Sequence, residues 1–401
     1  MQGIDVSMYN DAVPQFVHEP LNRLYRHLHS SPAYHAVYGN LGAGTHTCVL
    51  RQGAEIIAVV LYRFDGKRVC VINEQCTFPP DVIDAFARHI FARFPSTGVI
   101  SFPVIDNMPA ALRYPFLGAK CTQDIVLTLP SSEEQYQARL GKSTRTYIKR
   151  YFNKLKRCLP SVSWTTREGD AASEADVRAI IELNRARMAG KYKDSYIDDA
   201  EADRILQMVR RCGLVTVMTI DGKVCAGTIN YRVADNYFLQ VIAHAPDYDD
   251  YGLGTLCCYL TICECIARKA AEYHFLWGCY EYKFRLLGVQ RDLSHLLVYR
   301  SRLHLLLNGA AAVRHVWRGR MYEVKNWMEL RARRLDDSSR LHRAAYHCLN
   351  GLKKVKRSLD RFRMQHRPAG SHAMAAAGTG VAAKEPPAWG ETRNSQSSGE
   401  L

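Results

Sequence analysis

The stretch Tyr237–Gly254, YFLQVIAHAPDYDDYGLG, runs straight into the apolar segment TLCCYLTICECIARKA. Tyr237–Ala243 has the composition of a buried strand, Pro246 marks a loop, and Gly252-Leu253-Gly254 forms a turn that feeds a helix from Thr255. The first turn of a helix leaves backbone N–H groups without intrahelical partners and carries the positive end of the dipole, so this arrangement suits an anion. Glycines in the turn let a phosphate approach the backbone closely. Strand, glycine turn and apolar helix together predict an α/β fold with its ligand at the strand's carboxyl end.

The rest of the chain bounds that reading. At 401 residues and 47% apolar content, it is long enough for two or three domains with real cores. Thirteen cysteines, an odd number with no C-x-x-C, lie scattered and often inside apolar runs. Buried reduced thiols fit this pattern, and neither a zinc site nor a disulfide framework does; no metal is expected. The N-terminus shows no basic start followed by an apolar core, and no run of eighteen apolar residues occurs. A cytoplasmic location is expected, with peripheral contact at the inner face of the membrane as its variant. The net charge of +15 is uneven: residues 311–367 hold sixteen Lys or Arg against five Asp or Glu.

Period-2 and period-3.6 patterns divide the chain into two α/β halves. In the first, strands are expected at Thr45–Leu50, Ile56–Phe64, Arg68–Asn73, Gly98–Phe102 and Asp124–Leu129, with a helix over Pro80–Phe94. This half has no Gly-x-Gly loop before a helix, and no nucleotide is expected there. Between the halves, Arg139–Pro160 is an amphipathic basic helix: eight Lys or Arg and no acid lie between Arg139 and Arg157. The second half opens with a helix over Ser173–Gly190, for which Ser173 and Asp176 supply a capping box. A hairpin follows at Leu214–Ile220 and Val224–Arg232, then the strand Tyr237–Ala243 and the helix from Thr255. A strand at Tyr273–Trp277, a short helix at Tyr280–Leu287 ended by Gly288, and a strand at His295–Tyr299 complete it. Leu303–Met364 reads as basic helix, and Arg367–Leu401, rich in Ala, Gly, Ser and Pro, as disordered.

The segment His244–Gly254 resembles the V-x-P-x-x-R-G-x-G-x-G/A motif of the GNAT superfamily of acyltransferases in its Pro-to-Gly spacing. It departs from that motif at Asp249, usually Arg or Gln, and at Asp250, usually Gly. These put acid beside the diphosphate site that the motif implies, which weakens anion binding unless cations offset it. Two such halves in tandem resemble the Fem-type peptidyltransferases and the CelD-type acetyltransferases of cellulose and exopolysaccharide biosynthesis. The elements shared with the latter are Lys142–Arg150, Glu182–Arg187 and Tyr282–Gly288. The resemblance implies a mixed-sheet α/β protein of tandem GNAT-like domains. Its parts would be a degenerate domain at 1–138, a connecting helix at 139–160, an acyl-CoA-binding domain at 161–302, a basic extension at 303–366 and a tail at 367–401.

The implied reaction is acyl transfer from acetyl-CoA or another acyl-CoA to an amine on a saccharide or cell-envelope precursor. Cofactor-binding residues would be Ile242, Ala243, Tyr251, Gly252, Leu253, Gly254 and Thr255. The attacking amine must be neutral, and a lysine-like amine at pH 7 is neutral only about one part in 2,500, roughly 4–5 kcal/mol uphill. His244 and Glu281 are candidate bases. By resemblance Tyr282, then Tyr280, protonates the leaving thiolate, and Lys283 stabilises developing negative charge. Asn184, Arg187 and Lys191 share one helix face and would border the acceptor. Two alternatives stand beside this reading: Fem-like transfer from aminoacyl-tRNA, and a non-catalytic adaptor of a polysaccharide synthase. DNA is not an expected partner. Residues 311–367 are expected to touch an anionic membrane surface or a synthase.

Overall fold

The computed structural model describes residues 4–190 and 195–334. Lys191, the tail from 367 and the extension beyond Arg334 lie outside the described residues. The chain divides into two compact units, one up to Thr122 and again from Asp292, the other from Gln123 to Arg291.

The first unit begins with β1 (Ile4–Tyr9), α1 (His18–Tyr25) and α2 (Pro32–Val37), followed by β2 (His46–Gln52), β3 (Glu55–Asp65) and β4 (Arg68–Val71). After α3 (Pro80–Arg93) comes β5 (Val99–Ile105), and β6 (Phe116–Thr128) leads out of the unit. Strands β1 to β4 pair antiparallel in sequence order, whereas β5 pairs parallel to β4. A parallel neighbour requires a crossover, which α3 provides. The apolar run of β3 is buried on both faces: Val60 and Tyr62 pack with Phe86 of α3, and Val59 and Leu61 with Leu21 of α1.

The second unit contains α4 (Glu133–Arg139), α5 (Lys142–Cys158), β7 (Ser163–Glu168), α6 (Glu174–Ala189) and α7 (Asp199–Cys212). Then follow β8 (Gly213–Ile220), β9 (Lys223–Val233), β10 (Asn236–His244), the 3-10 segment Pro246–Tyr251 and α8 (Leu253–Ala267). The last elements are β11 (Glu272–His274), α9 (Glu281–Arg285) and β12 (Val289–Tyr299), which leads back into the first unit. Strands β7 to β10 are antiparallel, β11 is parallel to β10 across α8, and the end of β6 pairs antiparallel with β11. The first unit repeats this plan, with the end of β12 pairing antiparallel with β5. Each unit is thus one copy of the same mixed-sheet topology, as the tandem reading expects. The first copy starts its crossover helix with Pro79-Pro80 where the second has Gly252-Leu253-Gly254.

Alternation along β9 sets the helix layers of the second unit. Thr228 shares a hydrogen bond with Thr261 of α8 at 2.7 Å, on one face. On the other, a Cβ at Gly227 would stand 2.3 Å from the Ile180 side chain of α6, so the glycine permits that close packing. Within the first unit, α10 (Arg302–Leu307) and α11 (Gly309–Arg334) follow β12.

Several elements differ from the sequence-based expectation. The helix expected from Thr255 begins at Leu253, with Gly252 as its left-handed N-cap at φ +62°, so Gly254 lies inside the first turn. The basic stretch from Arg139 is divided at Leu140-Gly141, and its long helix begins at Lys142. The strand expected over Tyr273–Trp277 stops at His274, because Leu276 takes a left-handed φ of +56°. The C-terminal helix is interrupted at Asn308. Helices α1, α2 and α7 and the edge strands β1 and β7 are additional to it.

Candidate active site

The slot in the second unit opens where two parallel strands part. β11 pairs with β10 only over Asn236–Phe238, yet β10 continues to His244. Past His274 the chain turns away, and its amide at Phe275 bonds to Ile125 instead. Lys283 holds this divergence: its buried Nζ donates to the carbonyl oxygens of Phe275 (2.7 Å), Leu276 (3.3 Å) and Trp277. An ammonium has three protons, and three carbonyls receive them. Burial pulls the Lys283 amine down to about 7, against the opposing influence of Asp124. Gln240 is bulged out of the β10–β9 ladder on the opposite wall, between Leu239 and Val241.

At one side of the slot stands the mouth of α8. The first helical hydrogen bond runs from the Leu256 amide to the Gly252 carbonyl. The amides of Leu253, Gly254 and Thr255 therefore lack intrahelical acceptors, and the N-cap Gly252 has no side chain to bond them. Two polar groups roof this mouth. The Tyr147 hydroxyl from α5 sits 2.3 Å from where a Gly252 Cβ would be. The His244 ring lies over Gly254, with Nδ1 at 3.1 Å from its would-be Cβ. His244 Nε2 shares a hydrogen bond with Asp249 Oδ1 at 2.8 Å. The acidic substitution in the loop is thereby engaged by a neighbouring ring. With Nε2–H donating to Asp249, a neutral imidazole carries its lone pair on Nδ1, the nitrogen that faces Gly254.

Helix α5 adds cations at the same mouth. Lys154 Nζ donates to the Asp250 carbonyl at 3.1 Å and lies 4.5 Å from the Tyr251 ring centre. Arg150 lies over Tyr151, whose ring is tilted against Tyr147 at 4.3 Å. Uncapped amides, a tyrosine hydroxyl and cationic side chains form a donor set that fits a diphosphate.

The other side of the slot is built by α6 and α9. Asn184 and Arg187 are both buried on α6. Asn184 Oδ1 accepts from Ser195 Oγ at 3.1 Å. The Arg187 guanidinium is lowered by burial while Tyr282, Tyr280 and Asp249 pull it back up, so the three lie within electrostatic reach of it. Tyr280 and Tyr282 stack at 6.3 Å, and burial holds the Tyr282 hydroxyl well above its ordinary value, so it keeps its proton at neutral pH. Of the remaining sequence candidates, Ile242 borders Gly254, Ala243 is fully buried, and Tyr251 carries the Lys154 contact. Glu281 is turned to solvent in a 2.7 Å pair with Arg285. The structure brings together His244, Gly252 to Thr255, Arg187, Tyr280 and Tyr282. It commits Lys283 to the main chain and leaves Glu281 outside. Tyr147, Tyr151 and Lys154 join the site from α5; their signal in the sequence is an i, i+4 tyrosine pair on a helix without acids.

Residues 142–284 match the family model described as an acetyltransferase (GNAT) domain, and the chain carries a GNAT-fold acetyltransferase domain over that span. No curated protein matches the chain. Among solved structures, FemX is similar with a TM-score of 0.55 at 7% identity, covering 75% of this chain and 99% of that one. A conserved protein of unknown function from Bacteroides thetaiotaomicron is similar with a TM-score of 0.50 at 10% identity, covering 74% of this chain and all of that one. At such identities the likeness concerns the fold.

Proposed function

We propose that this protein is an acyl-CoA-dependent N-acyltransferase whose acceptor is an amine on a saccharide or envelope precursor. The observation that carries the reading is the slot between β10 and β11, with uncapped helix amides at one side and Arg187, Tyr280 and Tyr282 at the other. Acyl-CoA would supply the acyl group as a thioester. The amides of Leu253, Gly254 and Thr255, with Tyr147 and Lys154, would hold its diphosphate. Tyr282 keeps a proton at its hydroxyl and is placed to release it toward a leaving group. His244 Nδ1, set as the lone-pair nitrogen by Asp249, is the proton acceptor of the site. Arg187 and Asn184 orient the acceptor through its polar groups. The saccharide class rests on the resemblance of Lys142–Arg150, Glu182–Arg187 and Tyr282–Gly288 to CelD-type enzymes.

A second reading, transfer from aminoacyl-tRNA, is favoured by one observation: Lys142, Arg145, Lys149, Lys156 and Arg157 are exposed along α5, and none forms an ion pair among the described residues. Coenzyme A titration followed by thermal unfolding separates the two. Protection by the ligand, with an acyl-CoA found by mass spectrometry in the purified protein, supports the first. Salt-sensitive tRNA binding with no response to millimolar coenzyme A overturns it in favour of the second.

A further inference from the structure

Helix α11 is seated on the first unit with its apolar side facing away. Ala312 is buried, a Cβ at Gly319 would stand 2.6 Å from the Ala119 Cβ, and the His315 ring meets His295 at 4.7 Å. Small and polar residues therefore make the contact with the unit. Val313, Val316, Trp317, Met321, Val324 and Trp327 fall in an arc of about 140° on the opposite side at helical spacing. All six are exposed, Trp317 to 65% and Trp327 to 58%. Leu303, Leu306 and Leu307 of the preceding helix α10 are exposed as well. An exposed patch of this extent marks an interaction site.

We propose that α10–α11 is a docking surface for an anionic lipid bilayer, on which the helix lies in the interfacial plane. Charge selects this occupant. Between Arg302 and Lys325 the chain holds five Lys or Arg and one acid. Arg314, Arg318 and Lys325 flank one edge of the arc, where long side chains reach phosphates while the apolar face enters the acyl boundary. Arg320 interrupts the arc itself, paired at its rim with Glu323 at 3.1 Å. Apposed copies would bury that arginine and set like charges together, whereas at a bilayer it extends toward the headgroups. Tryptophans favour the same interface. No helix among the described residues is long and apolar enough to cross a membrane, so the mode is lying on it.

The test is co-sedimentation of the full chain with vesicles of phosphatidylcholine, with and without phosphatidylglycerol. Binding should be roughly tenfold or more tighter to the anionic vesicles, and it should weaken with salt. The variant Val313→Glu/Trp317→Glu/Val324→Glu changes exposed positions only. It should lose vesicle binding while its thermal midpoint and its coenzyme A response stay as in the native chain. Equal binding to both vesicle types, or a native chain that binds no better than the variant, overturns the proposal. So does a native dimer that the variant converts to monomer, which would assign the face to a second copy.

Discussion

Replacing Lys283 with Met tests whether the slot is held open by one buried side chain. The substitution keeps the length and apolar stem of the residue but removes donors from the Phe275, Leu276 and Trp277 carbonyls. A buried acceptor left without a partner costs about 1–3 kcal/mol, and of the three carbonyls that of Leu276 keeps the Ile125 amide as a donor. Relief from burying an ammonium offsets part of this, so a net loss of about 2–4 kcal/mol is expected in urea unfolding. Without these bonds the turn that carries the chain away from β10 loses its support, and the slot changes shape. Coenzyme A affinity should therefore fall together with stability. The pH dependence gives a second readout. Lys283 lies at about 7 in the folded chain against 10.5 for a free lysine, so the unfolded state binds more protons between these values. Native stability relative to the Met variant should then rise with pH across that window, by at most about 1.4 kcal/mol per unit. A Met variant with an unchanged urea midpoint and unchanged coenzyme A affinity would refute the clamp.

Gly254→Asp places a carboxylate among the α8 amides and a Cβ 3.1 Å from His244 Nδ1; calorimetry should show coenzyme A binding lost while circular dichroism stays native. Tyr282→Phe should lower kcat by about 10²- to 10⁴-fold with KM little changed, since a proton donor contributes on that scale; a rate within twofold of native would remove Tyr282 from the reaction. Glu272 is held down at about 2, chiefly by His274, whose Nε2 lies 3.3 Å from its carboxylate, and also by Arg291, so it stabilises the fold above its unfolded value of 4.5 and loses this as pH falls through about 2. Glu272→Gln should therefore be less stable than native at pH 6, and the gap should close in acid unfolding curves between pH 4.5 and 2.

Much of the site's frame was legible locally. Gly252 and Gly254 before an apolar run give the helix mouth, because positive φ and close backbone approach are properties of the residue itself. The strands of both hairpins followed from alternation and from Asp65-Gly66 and Asp221-Gly222 turn chemistry. Helix α7 carries a readable signal too, an Asp198 cap and buried Ile205, Leu206, Met208 and Val209. The edge strand β1 is harder, since its half-buried pattern is set by a single neighbour, β2.

The role of the charged candidates was not legible. Nothing in Tyr280-Glu281-Tyr282-Lys283 says that the lysine turns inward to three carbonyls while the glutamate turns to Arg285. Those choices depend on which groups the fold leaves without hydrogen-bond partners, and that is known only once β11 has bent away from β10. The sequence by itself determined the two α/β halves and the anion-suited turn, because periodicity and glycine geometry act over a few residues. Tertiary structure alone decided that Tyr147 and His244 roof the turn, that Asp249 is held by a ring, and that α11 faces its apolar side outward. Tyr147 meets Gly252 from a segment about a hundred residues away, the His244 contacts depend on how the loop after β10 folds back, and α11 is a choice of which helix side meets the sheet; local propensity carries no information about these.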